Sequence, residues 1–556
     1  MRDGSNRRQP FRVAYWLAVS VVFGTALYVR LTVPQTPFID PDFGGYLKPA
    51  LLALTGGHFQ HLEGRSFVYP GFVYLVLRVF FDFKAIPVLQ HFLGVAAGGF
   101  LLVCLNRSGT LIKTSQVPVR TYRLLGLGTA SLFLLNTAAI RFEHQIRPEA
   151  VIPFFTILNI FLNIEFIDAW YRRIDRRKAI LVAACCCFVG FLLFYLKAYF
   201  WLATVLSTIP ICIVLFDRNV ILSRKLLMFG VSAISVAALL VVPERQLGQT
   251  DSLSRTFVPA TLFVIHANII RDQIARDIEQ GIDNPYSTES LRNTLHLLDA
   301  ELLASKETKK YASLGFDPDY LMFRNSFCTK FETLFPVGDP SAQQTQFYYY
   351  YFFRAWTHQP GRMLAKIGRQ LSIFYNPGHI RRSPYKANQC LLVNLYYQRN
   401  CELIVLAPYL LKMDYQPLQG FIRDSCELST TEEKLFHPIV VHWAKHLLAR
   451  TWSLTMVLFV GAAFVVLWNP IWRREYGLFV AVAALMFCYS FGTNLGLAIV
   501  HTLEVERYVT NQLIYCVLPQ CMTLFLTSEI AYLLWKRRHH AENAPESSAS
   551  THSLPK

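Results

Sequence analysis

The sequence predicts an all-α polytopic membrane protein, a helical bundle with about ten full membrane spans. Of its 556 residues, 53% are hydrophobic and 14% are aromatic, a composition too apolar for an ordinary soluble protein of this length. Several runs with few or no charges reach the roughly 18 residues needed to cross about 30 Å of hydrocarbon. Because lipid offers the backbone no hydrogen-bond partners, such runs are expected to form helices.

The formal net charge of +17 does not predict a nucleic-acid partner here. Much of the basic excess lies in short segments between apolar runs, as the positive-inside rule expects. Arg7, Arg8 and Arg12 precede the first run, from about 13 to 33, so this span should leave the cytoplasm. The run is long enough to span, and no small-residue cleavage site follows it, so it is predicted to be retained.

Two helices after the first span are predicted not to cross the membrane. Gly44 to Leu54 is predicted to be a short amphipathic helix capped by Asp42. The segment 68–81 is apolar but short and is followed by charges, whereas 87–105 is a better span. The basic segment 106–123 should be cytoplasmic, so an odd number of crossings must separate it from the external first loop.

The remaining apolar runs alternate across the membrane and divide the chain into four parts. Further spans are predicted near 124–140, 151–166, 179–196, 198–216, 226–242, 446–468, 476–500 and 510–534. The predicted parts are a transmembrane catalytic module (1–242), a large external or periplasmic segment (243–445), closing transmembrane helices (446–538) and a disordered tail (539–556). This topology predicts a multi-pass protein of the cell (inner or plasma) membrane, with both termini in the cytoplasm.

Four cysteines fall in the long polar segment, at 328, 390, 401 and 426. Four cysteines allow three pairings, and the sequence does not choose among them. Cys390–Cys401 is the first candidate, provided that the segment lies in an oxidising compartment.

Charged residues from five separate connections are predicted to face one side of the membrane. An Asp-Pro-Asp such as Asp40–Asp42 is by itself most often a cap or turn. Arg147 and Glu149 could form a structural ion pair, and Lys197 could snorkel to the interface. Charges at the membrane edge are costly, however, and their convergence on one side indicates a functional site.

Transfer of a group from a phosphate ester to a hydroxyl suits this set of residues. A carboxylate, Asp40 or Asp42, would accept the hydroxyl proton as general base. Cations and other donors would hold the phosphate as its negative charge grows. The candidate phosphate ligands are Lys197, Arg507, His501 and Arg147, and the candidate substrate contacts are Glu149, Tyr69 and Tyr508.

These motifs resemble the GT-C fold glycosyltransferases that use polyprenyl-phosphate sugars. Within that group the chain is most similar to bacterial relatives of protein O-mannosyltransferases and to lipid A aminoarabinose transferases. The matching segments are Asp40 to Asp42, Arg65 to Phe72, Ile146 to Ala150, Tyr195 to Lys197 and Glu506 to Tyr508. The likeness covers residues 10–225 well and the closing spans weakly, and the segment 243–445 departs from it.

The resemblance implies a function and a mechanism. The donor would be a sugar on undecaprenyl or another polyprenyl phosphate, and transfer to a lipid, glycan or protein acceptor would invert the anomeric centre. The site would face outward, with a first-loop aspartate as base. Some relatives use a divalent metal; His58, His61 and Glu63 lie near the aspartates, but their spacing matches no ligand signature, so no metal ligand is assigned.

Other functions stay open at this point. A transporter or flippase for a lipid-linked glycan would usually carry polar groups near the bilayer midplane and internal repeats, and no convincing repeat is found. A polymerase or ligase of lipid-linked glycans is chemically closer to the prediction. A non-catalytic membrane scaffold would make the charges at the helix ends incidental.

Overall fold

A computed structural model of the chain describes residues 8–60, 64–247, 252–307, 321, 325–334, 339–375, 393–436, 438–500, 508 and 511–542. Within these residues the regular elements are all helical. The prediction of an all-α protein is therefore confirmed for the part of the chain that the structure describes.

Twenty-three α-helices follow one another along the described chain. They are α1 (Arg8–Leu31), α2 (Gly44–Leu54), α3 (Val68–Phe80), α4 (Ala85–Gly109), α5 (Val119–Leu134), α6 (Thr137–Glu143), α7 (Ile152–Ile167), α8 (Arg176–Leu196), α9 (Trp201–Cys212), α10 (Leu222–Val236), α11 (Val242–Leu247), α12 (Ser252–Ile265), α13 (Ala267–Glu279), α14 (Thr288–Glu307), α15 (Asn325–Glu332), α16 (Pro340–His358), α17 (Pro360–Tyr375), α18 (Asn394–Val405), α19 (Pro408–Leu411), α20 (Gln416–Leu428), α21 (Ile439–Trp468), α22 (Pro470–Val500) and α23 (Leu513–Glu542).

Nine helical stretches in the described residues are long and apolar enough to cross a membrane. They are built on α1, α4, α7, α8, α9, α10 with α11, α21, α22 and α23. The pair α5 and α6 meets at a bend of 55° and makes a tenth if it counts as one broken span. The chain is thus a multi-pass helical membrane protein, in agreement with the prediction of about ten spans.

Ion pairs at the helix ends show which ends lie together. Glu165, near the end of α7, contacts Arg107 of α4 at 3.1 Å and Lys178 of α8 at 2.5 Å. Lys197, directly after α8, contacts Glu149, just before α7, at 3.2 Å. Helices α7 and α8 therefore run in opposite directions. We call the end of the bundle with Lys197 the upper end and the end with Lys178 the lower end.

Helix α3 has both of its ends at the upper end of the bundle. The Tyr69 hydroxyl, in its first turn, donates to Oε1 of Gln90 in α4 at 2.8 Å. At its other end, the Leu77 carbonyl accepts a hydrogen bond of 3.1 Å from Tyr415, which lies just before α20. Helix α20 lies at the upper end, because its Asp424 pairs with Lys84 directly before α4, at the end of α4 opposite to Arg107. At about 1.5 Å per residue a helix of 13 residues is about 20 Å long, less than the hydrocarbon thickness. These contacts agree with the prediction that this segment does not cross.

Helix α2 forms where it was predicted, but Asp42 does not cap it. Phe43 occupies the N-cap position and makes no side-chain capping hydrogen bond. The Asp42 carboxylate instead contacts Arg147, and the Asp42 N–H donates to Oδ1 of Asp40 at 3.1 Å. A nearby cation competes successfully for the carboxylate because an ion pair with a buried guanidinium is stronger than a bond to a backbone N–H.

Where the structure describes it, the long segment between α11 and α21 is mostly helical and has two parts. Helices α12 to α16 share an aromatic core of their own, centred on Phe263, Phe331 and Phe347. Helices α17 to α20 pack into the hydrophobic core of the membrane helices, through residues such as Phe374 and Phe421, and α17 also reaches the first core through Met363. The second part is therefore continuous with the membrane bundle.

Two cysteines of this segment face each other across neighbouring helices. Sγ of Cys401 in α18 lies 2.9 Å from Sγ of Cys426 in α20. Burial raises the pKa of Cys401 to about 12, and the hydrogen bond with Cys426 adds to the shift. Cys426 is exposed, so it is the thiol that an external oxidant reaches first. Cys390, the predicted partner of Cys401, lies outside the described residues.

We expect oxidised protein to carry a Cys401–Cys426 disulfide. The bond would join positions 25 residues apart, and closing such a loop stabilises a fold by about 3 kcal/mol. Peptide mapping by mass spectrometry under non-reducing conditions should find the cross-linked peptide, and Cys401→Ser should lower the unfolding temperature only when the comparison is made without reductant. Quantitative alkylation of both thiols in protein kept oxidised would contradict the prediction.

Candidate functional site

A short backbone pairing brings the first loop beside the connection between α6 and α7. The Phe38 N–H donates to the His144 carbonyl at 2.7 Å, and the Ile146 N–H donates to the Phe38 carbonyl at 3.0 Å. The bridge between Phe38 and Gln145 is parallel, so both chains continue in the same direction beyond it. Asp40 and Arg147 each lie two residues after the bridge and therefore lie side by side.

Arg147 is the centre of the site. Its Nη1 contacts Oδ2 of Asp40, its Nη2 lies 3.1 Å from Oδ2 of Asp42, and its Nε lies 3.1 Å from Oε2 of Glu149. The side chain is only 5% exposed. Pro148 follows it, and a residue before proline is restricted to an extended backbone, as the φ of −164° at Arg147 shows. The proline thus keeps the backbone at Arg147 extended, and the guanidinium is directed toward the first loop.

Glu149 and Lys197 extend the network to the end of α8. The Glu149 carboxylate is fully buried and joins Arg147 to Lys197. Nζ of Lys197 also donates to the Tyr46 hydroxyl of α2 at 2.8 Å. Lys197 is 8% exposed, so its ammonium group lies inside the protein. Its alternative role, snorkelling to the membrane surface, does not fit these contacts.

Aromatic rings line the same site. The Lys197 ammonium lies 5.4 Å from the ring centre of Tyr46 and 6.0 Å from that of Tyr508. The Arg65 guanidinium also lies over the Tyr46 ring, 5.0 Å from its centre. Its Nη2 is 3.7 Å from Oδ1 of Asp42. Cations over aromatic faces at these distances are attracted by the ring quadrupole. The rings therefore help to hold the cations in place.

Tyr69 lies at the base of the site. It is 2% exposed, and its ring packs edge-on against Tyr46 with the centroids 5.5 Å apart. Its hydroxyl is directed toward Gln90 and the Gln145 carbonyl. In this arrangement Tyr69 supports Tyr46 and the connection that carries Arg147.

Among the residues of the site that the structure describes, acidic and basic side chains are equal in number. Three carboxylates, those of Asp40, Asp42 and Glu149, contact one or more of three cations. The cations are Arg65, Arg147 and Lys197. Balance is required because a buried charge without a partner costs several kcal/mol. A ligand phosphate entering here would therefore compete with a carboxylate for a cation.

The structure brings together seven of the nine predicted site residues. These are Asp40, Asp42, Tyr69, Arg147, Glu149, Lys197 and Tyr508. His501 and Arg507 lie outside the described residues. Sequence reasoning assigned no role to Tyr46 or Arg65, although both belong to motifs that it singled out. A tyrosine in the first turn of a helix that follows an acidic loop is too common a pattern to indicate a site.

The described residues do not form a metal site. No three His, Cys, Asp or Glu side chains in this part of the chain are grouped as metal ligands. The carboxylates of Asp40, Asp42 and Glu149 are directed to the Arg147 guanidinium instead. Of the three residues considered from sequence, His61 and Glu63 lie outside the described residues.

A second charged cluster, which sequence reasoning did not find, is buried next to the site. Arg30 of α1 binds the Glu143 carboxylate through Nε at 2.6 Å and Nη2 at 2.9 Å. His91 of α4 donates to the same carboxylate at 2.8 Å. All three side chains are at most 3% exposed. Gly94 makes room, since a Cβ there would lie 2.1 Å from Oε1 of Glu143.

This second cluster fixes the bent span. Glu143 ends α6, and its carboxylate ties that helix to α1 and α4, while its carbonyl accepts a hydrogen bond of 2.7 Å from Gln90. The same Gln90 amide donates to the Gln145 carbonyl at 3.1 Å. The cluster therefore sets the position of the connection from which Arg147 reaches the first loop.

Comparison with known proteins adds no assignment to this geometry. No protein-family model, no curated protein and no solved structure matches the chain. A function must therefore be inferred from the residues of the site and their chemistry.

Proposed function

We propose that the protein is a membrane glycosyltransferase that moves a sugar from a polyprenyl-phosphate donor to an acceptor hydroxyl. One observation carries the proposal: Asp40, Arg147 and Lys197, from three separate connections, belong to one network at the upper end of the bundle. A carboxylate next to two cations supplies both a proton acceptor and a phosphate site. A position at the end of the spans suits a substrate whose headgroup lies at the membrane boundary.

Asp40 is the proposed general base. As the acceptor oxygen attacks the anomeric carbon, its proton passes to the Asp40 carboxylate. The bond between that carbon and the phosphate oxygen breaks, and its electron pair leaves with the polyprenyl phosphate. Attack from the face opposite the leaving group inverts the anomeric centre. Asp40 is favoured over Asp42 because it is less exposed, 13% against 28%, and a less solvated carboxylate is held in a more defined position.

Arg147 and Lys197 are the proposed phosphate ligands. Both are held in place by Glu149 before any donor arrives, so little reorganisation is needed when charge develops on the leaving phosphate. When the sugar donor binds, its phosphate would bind the Arg147 N–H groups that contact Asp40 in the unbound protein. Donor binding would thereby release the Asp40 carboxylate to accept a proton at the moment when the sugar is in place.

The upper end is proposed to face outward. Basic residues are concentrated at the lower end, for example Arg172 and Arg173 between α7 and α8 and Arg176 and Arg177 in the first turn of α8. The positive-inside rule places such connections in the cytoplasm. The site would then open at the outer face of the cell membrane, with both termini inside.

A direct test uses purified protein in lipid nanodiscs with a panel of labelled polyprenyl-phosphate sugars. We expect release of free polyprenyl phosphate together with label on an acceptor. Movement of the intact donor across the bilayer without release would instead support a flippase, and joining of two lipid-linked glycans would support a polymerase or ligase. Either of these results, obtained with a competent donor, would overturn the proposal.

Lys197→Gln should raise the KM for the donor about 10- to 100-fold, because a hydrogen bond to a charged group contributes about 1.5–3 kcal/mol. Lys84→Gln is the matched control. Lys84 also pairs with a carboxylate at the upper end, that of Asp424 at 2.7 Å, but its side chain is 51% exposed and lies outside the site. Initial rates over a range of donor concentrations check the prediction. An equal rise in KM in both variants would show that Lys197 has no specific role.

A further inference from the structure

We infer that Asn400, in the long segment far from the site in sequence, is a positioning residue for the Asp40 carboxylate. The inference rests on the proposed function and adds a residue that neither the motifs nor the charge pattern indicates. Asn400 lies in α18 and is fully buried. It contacts the backbone of the first loop immediately before Asp40.

The Asn400 side chain holds the loop by two hydrogen bonds. Its Oδ1 accepts from the Ile39 N–H at 2.8 Å, and its Nδ2 donates to the Pro37 carbonyl at 2.9 Å. Nδ2 also donates to the Ser425 hydroxyl of α20 at 3.2 Å. Because the Ile39 N–H can only donate, the amide oxygen must face it, and this fixes the orientation of the group.

The backbone of the loop needs a partner at this point. Phe38 uses its own N–H and carbonyl in the pairing with the connection before α7. In an extended chain the next residue points its N–H to the other side, where the bridge cannot reach it. Asn400 supplies the acceptor there for Ile39. The loop is thus fixed on one side by the pairing of Phe38 and on the other by Asn400. Asp40 directly follows Ile39, the residue that Asn400 binds.

Helix α18 is itself fixed against the start of the loop. The Tyr397 hydroxyl, one turn before Asn400, is shared between the carbonyls of Pro34 at 2.9 Å and Thr36 at 2.8 Å. The Phe38 ring packs against Tyr397 with the centroids 5.0 Å apart. Asn400 therefore belongs to a rigid surface and can impose a position on the chain that it contacts.

The position matters because general-base catalysis depends on geometry. Displacement of a reacting group by about 1 Å can cost on the order of 100-fold in rate. Without Asn400 the loop would keep its bond to the connection before α7 and its contact with Arg147. It would lose the restraint on Ile39, so the carboxylate would sample positions from which it cannot reach the acceptor proton.

The experiment compares Asn400→Asp, Asn400→Ala and the control Ser425→Ala. The Ala variant removes the acceptor of the Ile39 N–H. The Asp variant keeps that acceptor and the size of the side chain, but it places a second oxygen opposite the Pro37 carbonyl and repels the loop there. The control Ser425→Ala removes the hydrogen bond that Asn400 makes to α20, and it leaves both hydrogen bonds to the loop in place. In both Asn400 variants we expect kcat to fall about 10- to 100-fold with the donor KM within about twofold. Ser425→Ala should stay within about threefold of the unsubstituted protein in both parameters.

Hydrogen–deuterium exchange gives a readout that needs no activity. The peptide covering residues 36–43 should exchange at least about tenfold faster in Asn400→Ala, which removes the acceptor of the Ile39 N–H, while peptides from α7 keep their rates. Unchanged exchange in this peptide, or an equal loss of kcat in Ser425→Ala and Asn400→Asp, would overturn the inference. If the unsubstituted protein transfers no sugar, the proposed function fails, and the exchange measurement still decides whether Asn400 holds the loop.

Discussion

Asp40→Asn is expected to lower kcat for sugar transfer at least about 1,000-fold, within the range by which a general base contributes to catalysis. The amide has nearly the shape of the carboxylate but cannot take the acceptor proton. The fold should survive, because Arg147 keeps its contacts with Asp42 and Glu149. Release of polyprenyl phosphate under saturating donor measures the effect.

Asp42→Asn is the matched control for this prediction. Asp42 lies two residues away, contacts the same guanidinium and is about twice as exposed, 28% against 13%. We expect it to lose less than about tenfold in kcat, mainly through weaker orientation of Arg147. If only Asp42→Asn lost activity, Asp42 and not Asp40 would be the general base. Full activity in both variants would remove this loop from the mechanism.

Arg30→Ala or Glu143→Ala should destabilise the protein by about 3–5 kcal/mol, the largest effect on stability that we expect from a single substitution. Each removes one partner of a buried pair and leaves the other charge without compensation. The geometry is that of a bidentate pair, with distances of 2.6 and 2.9 Å, and both side chains are at most 3% exposed. The prediction is checked by thermal unfolding of the detergent-solubilised protein, with the accessibility of its buried thiols as the readout.

Two controls separate lost charge compensation from lost packing. The double variant Arg30→Met with Glu143→Met should be more stable than either single alanine variant, because it removes both charges and keeps most of the volume. Lys84→Ala breaks the exposed pair with Asp424 and should cost at most about 1 kcal/mol. If Arg30→Ala is no more harmful than Lys84→Ala, the buried cluster does not support the bent span.

Several features of the fold followed from the sequence. Span lengths, the alternation of the connections and the non-crossing segment at α3 all depend on local composition and on the thickness of a bilayer. The same alternation placed Asp40, Arg147 and Lys197 at one end, and in the structure their side chains share one network. The catalytic role of these residues stays a prediction, as does the division of the chain at 242 and 445.

Contacts between distant elements could not be read from the sequence in this way. The bond between Asn400 and Ile39 joins residues 361 positions apart. The contact of Cys401 with Cys426 depends on how α18 and α20 lie against each other. Asp42 was predicted to be a cap, and only the position of Arg147 shows why it is not. Each of these depends on how segments that are remote in sequence pack against one another.

The sequence by itself determined that the chain is a bundle of membrane helices and which connections lie at the same end, because the bilayer acts on each segment separately through length and charge. The tertiary structure alone decided which side chains at that end meet, since this depends on helix packing and on backbone hydrogen bonds between remote segments. The bridge at Phe38 and the amide of Asn400 are such bonds, and together they place Asp40 beside Arg147.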